Sequence, residues 1–146
     1  YGLRAMVDLV VHSEEGPVPV SGIAARQRIS ESYLEQLLAK LKKAGLVSSV
    51  RGAGGGYVPD REPKEISVGD VLRALEGSLD PVDCPGLAEE NRCGGADVCV
   101  TKYVWKRIND SINRTVDEIK ISDLVKESRE VAQTNRTPGS CCEKKE

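Results

Sequence analysis

The spacing of hydrophobic residues at three- and four-residue steps predicts two short helices at the start of the chain. The first covers residues 1–12 and stops at the turn-forming stretch of residues 15–19, which contains glycine and two prolines. We expect Ser21 to cap a second helix that runs through Arg28. A turn around Ile29 then separates this helix from the next amphipathic segment.

The third predicted helix starts at Ser30, which can act as its N-cap, and ends at Gly45. Four leucines recur on one side of it and form a single apolar stripe: Leu34, Leu37, Leu38 and Leu41. Its other side is polar and carries lysines. Two short helices joined by a tight turn, the second amphipathic and basic, are typical of a helix-turn-helix.

A glycine-rich segment follows the third helix and predicts a β-hairpin. Residues 46–51 have the composition of a strand, residues 52–56 form the tip, and Tyr57 begins a return strand that Pro59 ends. A phosphate-binding nucleotide loop would require a lysine and a Ser or Thr after the glycines, and a helix after those. The hairpin is therefore interpreted as the wing of a winged helix, with Arg51 placed to enter a minor groove.

A longer helix is predicted in the second half of the chain. Its apolar stripe is formed by Trp105, Ile108, Ile112, Thr115 and Ile119. This spacing favours a seam against another helix, most simply the same helix of a symmetry-related copy. The alternative is that the stripe packs on the chain's own winged-helix domain, and the two interpretations are compatible.

The composition fits one domain with an appendage, because 39% of the 146 residues are hydrophobic. The net charge of −2 argues against nucleic-acid binding at first, but the charge is uneven. Six basic residues lie between positions 26 and 51, and the two acidic ones there are Glu31 and Glu35. The local field decides phosphate contact, so DNA binding stays possible, although a solvated helix face explains the same charges.

No apolar run has the length needed to cross a bilayer, and the chain has no basic-then-apolar leader. We therefore expect a soluble, cytoplasmic protein. Because helical spacing is already present from Leu3 onward, we also expect that a short natural N-terminus precedes Tyr1.

Three cysteines, Cys84, Cys93 and Cys99, are separated by only eight and five residues, with glycines and a proline among them. The chain has five cysteines, an odd number, which fits thiols or metal ligands better than a disulfide framework. The spacing is wider than that of structural zinc knuckles and favours an iron-sulfur cluster. Structural zinc, unligated loop cysteines and a thiol pair that oxidises to a disulfide are the alternatives. The pair at positions 141 and 142 is interpreted as incidental.

Several motifs together resemble the Rrf2 family of bacterial winged-helix transcription regulators, the group with IscR-, NsrR- and CymR-like branches. They read SYLEQL at 32–37, GLVSSVRG at 45–52, GGGY at 54–57 and ISVGDV at 66–71. The resemblance extends to about Leu124. It implies a mostly α-helical fold with a small β-hairpin wing, and a homodimer that binds a pseudo-palindromic double-stranded DNA operator.

The resemblance also implies the residues that contact DNA. Ser32, Glu35 and Gln36 would face bases, and Arg51 would enter the minor groove. The polar chemistry of Glu35 and Gln36 independently suits base edges in the major groove. The full candidate DNA-binding set is Ser32, Tyr33, Glu35, Gln36, Lys40, Lys43, Arg51 and Gly52.

In the IscR-like branch, three cysteines before the long helix hold an iron-sulfur cluster, and Cys84, Cys93 and Cys99 occupy the equivalent stretch. That branch has a histidine ligand three residues after the last cysteine, where this chain has Lys102. A protonated lysine is not a ligand, so the fourth position is open to a partner's N-terminus, a small molecule or solvent. Acidic candidates are Asp83, Glu89, Glu90 and Asp97, whereas the only histidine, His12, is not nominated.

The chain is thus interpreted as a dimeric transcription regulator controlled by a cluster of undetermined nuclearity, and not as an enzyme, because nucleophile motifs are missing. The alternative is a CymR-like, cluster-free repressor controlled by a partner protein or by thiol oxidation. We expect a DNA-binding domain at 1–78, a cluster loop at 79–99, a dimerisation helix with a short following helix at 100–126, and a disordered tail at 127–146.

Overall fold

The computed structural model describes residues 1–82, 95 and 98–134, which are mostly helical with one small sheet. The elements are α1 (Gly2–His12), a 3-10 turn (Ser13–Glu15), α2 (Val20–Gln27), α3 (Glu31–Lys43), β1 (Val47–Val50), β2 (Gly56–Pro59), α4 (Val68–Glu76), α5 (Thr101–Glu118) and α6 (Ile121–Gln133). The predicted winged helix-turn-helix fold followed by a long helix is confirmed. None of the helices in these ranges has both the length and the apolarity that a membrane span requires.

The hydrophobic core is organised around α1, which contacts α2, α3, α4, α6 and β2. All four leucines of the predicted α3 stripe are buried, and Leu34, Leu38 and Leu41 have no exposed surface. They belong to the same buried cluster as Met6 and Leu9 of α1. Full burial of such a side chain contributes about 1.5–3 kcal/mol, so the stripe fixes which side of α3 faces solvent.

The ends of α3 are set by the two residues that the sequence indicates. The Ser30 hydroxyl accepts a hydrogen bond from the backbone N–H of Tyr33 at 3.2 Å, which satisfies one free donor of the first turn. At the other end, Gly45 has a φ of +69°, a conformation that glycine adopts without a steric penalty. The chain can therefore reverse directly from α3 into β1.

The start of α2 differs from the prediction. The helix begins at Val20 with Pro19 at the N-cap position, so Ser21 lies inside the first turn and caps nothing. A proline just before the helix has a φ of −68° and lacks an N–H, and it therefore suits this boundary without a side-chain cap. The helix ends at Gln27, and the C-cap residue Arg28 adopts a left-handed conformation with φ 56°.

A partly buried ion pair joins α1 to the last turn of α2. The Asp8 carboxylate is only 8% exposed, and the Arg26 guanidinium donates to it from Nε and Nη2 at 2.7–3.1 Å. The side-chain amide of Gln27 donates to the same carboxylate at 3.0 Å. The hydrogen bond to Asp8 raises the pKa of Arg26 above its usual value. The hydrogen bonds from Arg26 and Gln27 therefore compensate the cost of removing the Asp8 carboxylate from water.

The wing is an antiparallel hairpin in which Val47 pairs with Pro59 and Val50 with Gly56. It is tied to the helical body by a bridge between Val18 and Tyr57, whose two backbone hydrogen bonds measure 2.9 and 2.8 Å. The predicted hairpin and its glycine-rich tip are thus confirmed. Its first strand is shorter than predicted, whereas the return strand is longer, because Gly56 and Pro59 both pair with β1.

The last described helix returns to the core and is longer than predicted. Ile121 and Val125 of α6 are 0% and 7% exposed. We expected a disordered tail from residue 127, but α6 continues to Gln133. Residues 127–133 contain no glycine or proline, and Arg129 forms an ion pair with Glu14. The rest of the predicted tail, residues 135–146, lies outside the described residues.

We expect Gly56→Ala to destabilise the fold by about 1–3 kcal/mol. A Cβ at this position would overlap the backbone carbonyl of Val18, so the bridge that holds the wing would have to separate. Urea unfolding followed by circular dichroism measures the effect. Gly54→Ala is the matched control, because a Cβ there meets nothing within 4 Å. Equal stability of the two variants would contradict the close-approach argument.

Candidate functional site

The polar side of α3 is presented to solvent at the end where Ser30 caps the helix. Ser32, Glu35, Gln36 and Lys43 are exposed, opposite the buried leucines. The structure therefore brings most of the predicted α3 contacts together on one surface. The N-terminal part of a recognition helix is the part that normally meets base edges, and that part carries Ser32, Glu35 and Gln36 here.

Tyr33 is partly engaged within the protein. Its ring packs edge-to-face against Tyr1, with centroids 6.3 Å apart and an interplanar angle of 84°. The guanidinium of Arg4 lies 5.5 Å from the Tyr1 ring centroid, a cation–π arrangement. Through this ring contact, Tyr33 links α3 to the start of α1. Its side chain is still 43% exposed and therefore remains part of the solvent-facing side of α3.

The structure places Lys40 differently from the other predicted contacts. Its ammonium donates a hydrogen bond at 2.8 Å to the backbone carbonyl of Leu75, near the end of α4. A free carbonyl at a helix C-terminus attracts a cation, so Lys40 joins α3 to α4. Both Lys40 and Lys43 are exposed, but the ammonium of Lys40 is engaged by this backbone carbonyl.

A neighbouring lysine has a role that the sequence pattern does not reveal. Lys42 donates a hydrogen bond at 2.6 Å to the Ser49 hydroxyl, which joins the last turn of α3 to β1 of the wing. In sequence terms Lys42 contributes only local positive charge. The signal that could have found it is the chain reversal at Gly45, which folds the strand back beside the helix.

The wing residues expected to reach DNA are exposed. Arg51 follows β1 directly, and Gly52 has a φ of +112° that a side-chain-bearing residue rarely adopts. The N–H of Gly55 donates to the carbonyl of Gly52 at 3.0 Å and closes the tip. Because the tip is built from such a turn, Arg51 stands at the base of a compact hairpin.

The predicted cluster ligands lie mostly outside the described residues. Cys84 and Cys93 are among these, as are the acidic candidates at positions 83, 89, 90 and 97. Cys99 is described, half-buried, and precedes the first residue of α5 by two positions. Over residues 1–82, 95 and 98–134, no three His, Cys, Asp or Glu side chains form a group that could hold a metal ion.

The surroundings of Cys99 favour the thiolate. Its Sγ lies 3.2 Å from the Thr101 hydroxyl, and the pKa of this thiol is below its usual value. The hydrogen bond from Thr101 is the largest cause, followed by the backbone N–H of Lys102, while the Lys102 charge adds a smaller effect. A thiolate is the form that binds metals and reacts with electrophiles.

Lys102 and His12 are the two residues that bear on the fourth ligand of the predicted cluster. Lys102 places its ammonium 5.2 Å from the Tyr103 ring centroid, and it acts on Cys99 through its charge. His12 lies at the end of α1, where its Nδ1 is 2.8 Å from the Asp8 carbonyl and 3.7 Å from the Asp8 carboxylate. Its observed contacts are thus those of a helix-terminal residue.

A family model described as "Rrf2: Iron-dependent Transcriptional regulator" matches residues 1–127. The chain belongs to the Rrf2 family. Its members are transcriptional regulators, so this Rrf2 protein is a DNA-binding regulator and the prediction that it is not an enzyme is confirmed.

Named relatives agree with this assignment. The HTH-type transcriptional regulator IscR of Xenorhabdus nematophila is 41% identical over 145 residues, which cover 94% of this chain and 87% of the relative. The structure of T. potens IscR is 46% identical with a TM-score of 0.72, covering 95% of this chain and 88% of that one. The B. subtilis structure of CymR, described as a global cysteine regulator, is 39% identical with a TM-score of 0.71, covering 87% and 92%.

We expect Thr101→Val to raise the pKa of Cys99 and to slow its alkylation near neutral pH. The valine cannot donate to the sulfur, so the thiolate loses its main stabilising hydrogen bond. The measurement is the iodoacetamide rate against pH in metal-free protein whose other four cysteines are serine.

Thr115→Val is the matched control, since that hydroxyl donates to the Ser111 carbonyl at 2.8 Å within the same helix. It should leave the profile unchanged. Identical profiles for all three proteins would show that Thr101 does not stabilise the thiolate.

Proposed function

We propose that this chain is a homodimeric, cytoplasmic regulator whose binding to operator DNA is controlled by an iron-sulfur cluster on Cys84, Cys93 and Cys99. One observation carries the proposal: Cys99, with its lowered pKa, immediately precedes a helix whose apolar surface is exposed. A ligand at Cys99 would therefore act directly on the helix that offers a dimer surface. The 46% identity to T. potens IscR supports the same assignment.

The DNA interface combines α3 and the wing. Ser32, Glu35 and Gln36 read base edges in the major groove, where a glutamate accepts from a cytosine amino group and a glutamine pairs with adenine. Arg51 and the adjoining Gly52 approach the minor groove, where a guanidinium gains from concentrated negative potential. Tyr33 and Lys43 border this surface, and phosphate contacts there would position the helix. Lys40 would contribute only after leaving Leu75.

The dimer forms along α5. None of its residues is buried. Three of its large apolar side chains, those of Tyr103, Val104 and Ile108, are 67%, 55% and 38% exposed. An apolar surface of this kind on a helix needs a partner. The chain's own domain covers little of it, since α5 contacts α4 alone among the major helix pairs. A second copy's α5 fits the predicted stripe of Trp105, Ile108, Ile112, Thr115 and Ile119.

The residue chemistry fits the cluster as far as it is described. Thiolates are the preferred ligands of iron-sulfur clusters, and Cys99 has donors that stabilise its thiolate. Cys84 and Cys93 would supply the other sulfur ligands. Lys102 stands at the position of the IscR-like histidine and does not ligate, so an acidic residue, a partner's N-terminus, a small molecule or solvent completes the site. When bound, the cluster supplies a centre sensitive to redox state, nitric oxide or iron-sulfur supply.

Control follows from the position of Cys99 at the start of α5. Cluster gain, loss or modification reorganises residues 83–99 and shifts the dimer between states with different operator affinity. A ligand shifts such an equilibrium only by its differential affinity for the two states. Two half-sites lie about one duplex turn apart, so a change in dimer geometry can remove one recognition helix from its groove.

The second candidate is a cluster-free repressor controlled by a partner protein or by thiol oxidation. The likeness to CymR and the lowered pKa of Cys99 favour it, because an accessible thiolate is also an oxidation site. Under this alternative the cysteines sense oxidants directly and metal is not required.

Replacing Cys84, Cys93 and Cys99 with serine should abolish iron and acid-labile sulfide in anaerobically purified protein and remove any effect of the cluster on operator binding. A serine hydroxyl is a harder and far less acidic group than a thiol, and it is therefore a poor substitute for the thiolates that hold iron-sulfur clusters. Iron, sulfide and absorbance measurements, with operator titration, check this.

Replacing Cys141 and Cys142 with serine is the control and should leave the metal content unchanged. A wild-type protein without iron or sulfide even after reconstitution would exclude the cluster and leave the CymR-like alternative. Zinc without sulfide would instead indicate a structural metal site.

Glu35→Ala should change relative affinity among variant operators rather than lower all affinities equally. A lost base contact removes discrimination of about 1–3 kcal/mol at one position, whereas a lost phosphate contact weakens all sequences. Competitive binding to a duplex set with single substitutions measures this. Lys43→Ala is the contrasting variant, with a uniform loss and a lower salt dependence expected. An unchanged preference in Glu35→Ala would exclude its base-reading role.

A further inference from the structure

The long helix α5 is attached to the DNA-binding domain near its C-terminal end. Ser67 and Lys120 form an isolated bridge, the N–H of Val68 donates to the Ile119 carbonyl at 2.9 Å, and the N–H of Ile121 donates to the Ile66 carbonyl at 2.9 Å. The opposite end of α5, which adjoins Cys99, consists mainly of exposed residues. Its direction relative to the winged helix is therefore set near residue 117.

One arginine on α4 joins two successive turns of α5 at this place. Arg73 donates to both oxygens of the Asp117 carboxylate at 2.8 and 2.9 Å, and to the Asn113 side-chain oxygen at 2.9 Å. Because Asn113 and Asp117 are four residues apart, they lie on one face of the helix. A planar guanidinium bound at two turns restricts both the tilt and the rotation of α5.

The glycine at the start of α4 provides the room for this arrangement. A Cβ on Gly69 would overlap the Asp117 carboxylate and would come within 2.7 Å of Arg73 Nη1. The close approach of α4 and α5 therefore depends on the missing side chain. Gly69→Ala displaces the ion pair without altering either charged residue.

The contact is suited to setting geometry more than stability. The Arg73 and Asp117 side chains are 35% and 49% exposed, and exposed pairs contribute little to folding. The hydrogen bond between them still raises the pKa of Arg73 and lowers that of Asp117. Both groups therefore stay charged at neutral pH, where their attraction is retained.

We propose that Arg73, through Asn113 and Asp117, fixes the angle between α5 and the DNA-binding domain and thereby determines the half-site spacing that the dimer accepts. The inference rests on the proposed dimer seam along α5. If α5 joins two copies, its angle to each domain sets the separation of the two α3 helices. Arg73 is thus a positioning residue for spacing specificity and touches no base itself.

The experiment uses a duplex that the wild-type protein selects from a random-sequence pool, with variants in which one base pair is added or removed between the half-sites. The added base pair displaces one half-site by about 3.4 Å along the duplex. Wild-type affinity should fall about tenfold or more, the scale of a lost base contact. In Arg73→Ala and Gly69→Ala the loss should shrink to about threefold or less.

Two controls separate positioning from folding. Arg129→Ala removes another exposed ion pair between elements, with Glu14, and should keep the wild-type preference. Binding of each variant to a duplex that carries a single half-site should equal that of wild type. Arg73→Lys should behave like Arg73→Ala, because one ammonium does not reproduce a planar fork across two turns.

Retention of the full spacing preference by Arg73→Ala, in a protein that is dimeric by light scattering, would overturn this inference and leave the proposed function intact. If Arg73→Ala lowered the affinity for the single half-site duplex by as much as it lowered the affinity for the full duplex, the inference would also be overturned. Arg73 would then support the fold of the DNA-binding domain. A monomeric wild type, or one that selects no duplex, would overturn the proposed function and this inference together.

Discussion

The arrangement of the DNA-binding surface depends on the burial of one side of α3 in the core that it shares with α1, α2 and α4. Leu34, Leu38 and Leu41 have no exposed surface and share a cluster with Met6 and Leu9. Since a helix that buries one stripe must present the opposite one, this packing alone decides that Glu35 and Gln36 face solvent. Rotating α3 to present another face would expose several leucines, each costing about 1.5–3 kcal/mol.

A second constraint acts between the domain and α5, and it is different in kind. The core is apolar and dense, whereas the joint at α4 consists of an exposed ion pair, a backbone bridge and a glycine contact. Apolar packing gives α3 one orientation within its domain. Polar contacts with defined directions are better suited to holding a protruding helix, because they specify angles at little cost in buried surface.

The parts of the fold that follow from local sequence were predicted well. The leucine period identified α3, Ser30 and Gly45 marked its ends, and the glycine-rich tip identified the wing. The misplaced cap at Ser21 has a local cause too, because Pro19 satisfies the start of α2 without a polar side chain. Each of these features involves residues only a few positions apart.

The polar contacts between distant segments could not be predicted in this way. Lys40 finds its acceptor 35 residues later at Leu75, and Arg73 finds Asp117 after 44 residues. No periodicity or spacing in the chain pairs these residues, because their proximity follows only from the assembled core. Composition correctly marked Lys40 as a basic residue on a polar face, and tertiary packing decided which group its ammonium meets.

The partly buried pair of Asp8 and Arg26 has a consequence for how this motif can be moved or exchanged. Arg26 belongs to the first helix of the helix-turn-helix, yet its carboxylate partner lies outside that motif, on α1. Transplanting α2 and α3 onto another scaffold would leave the Arg26 guanidinium without its counter-ion. It would also expose the α3 leucines that pack against Met6 and Leu9 of α1. The recognition unit of this chain is therefore structurally inseparable from the helix that precedes it.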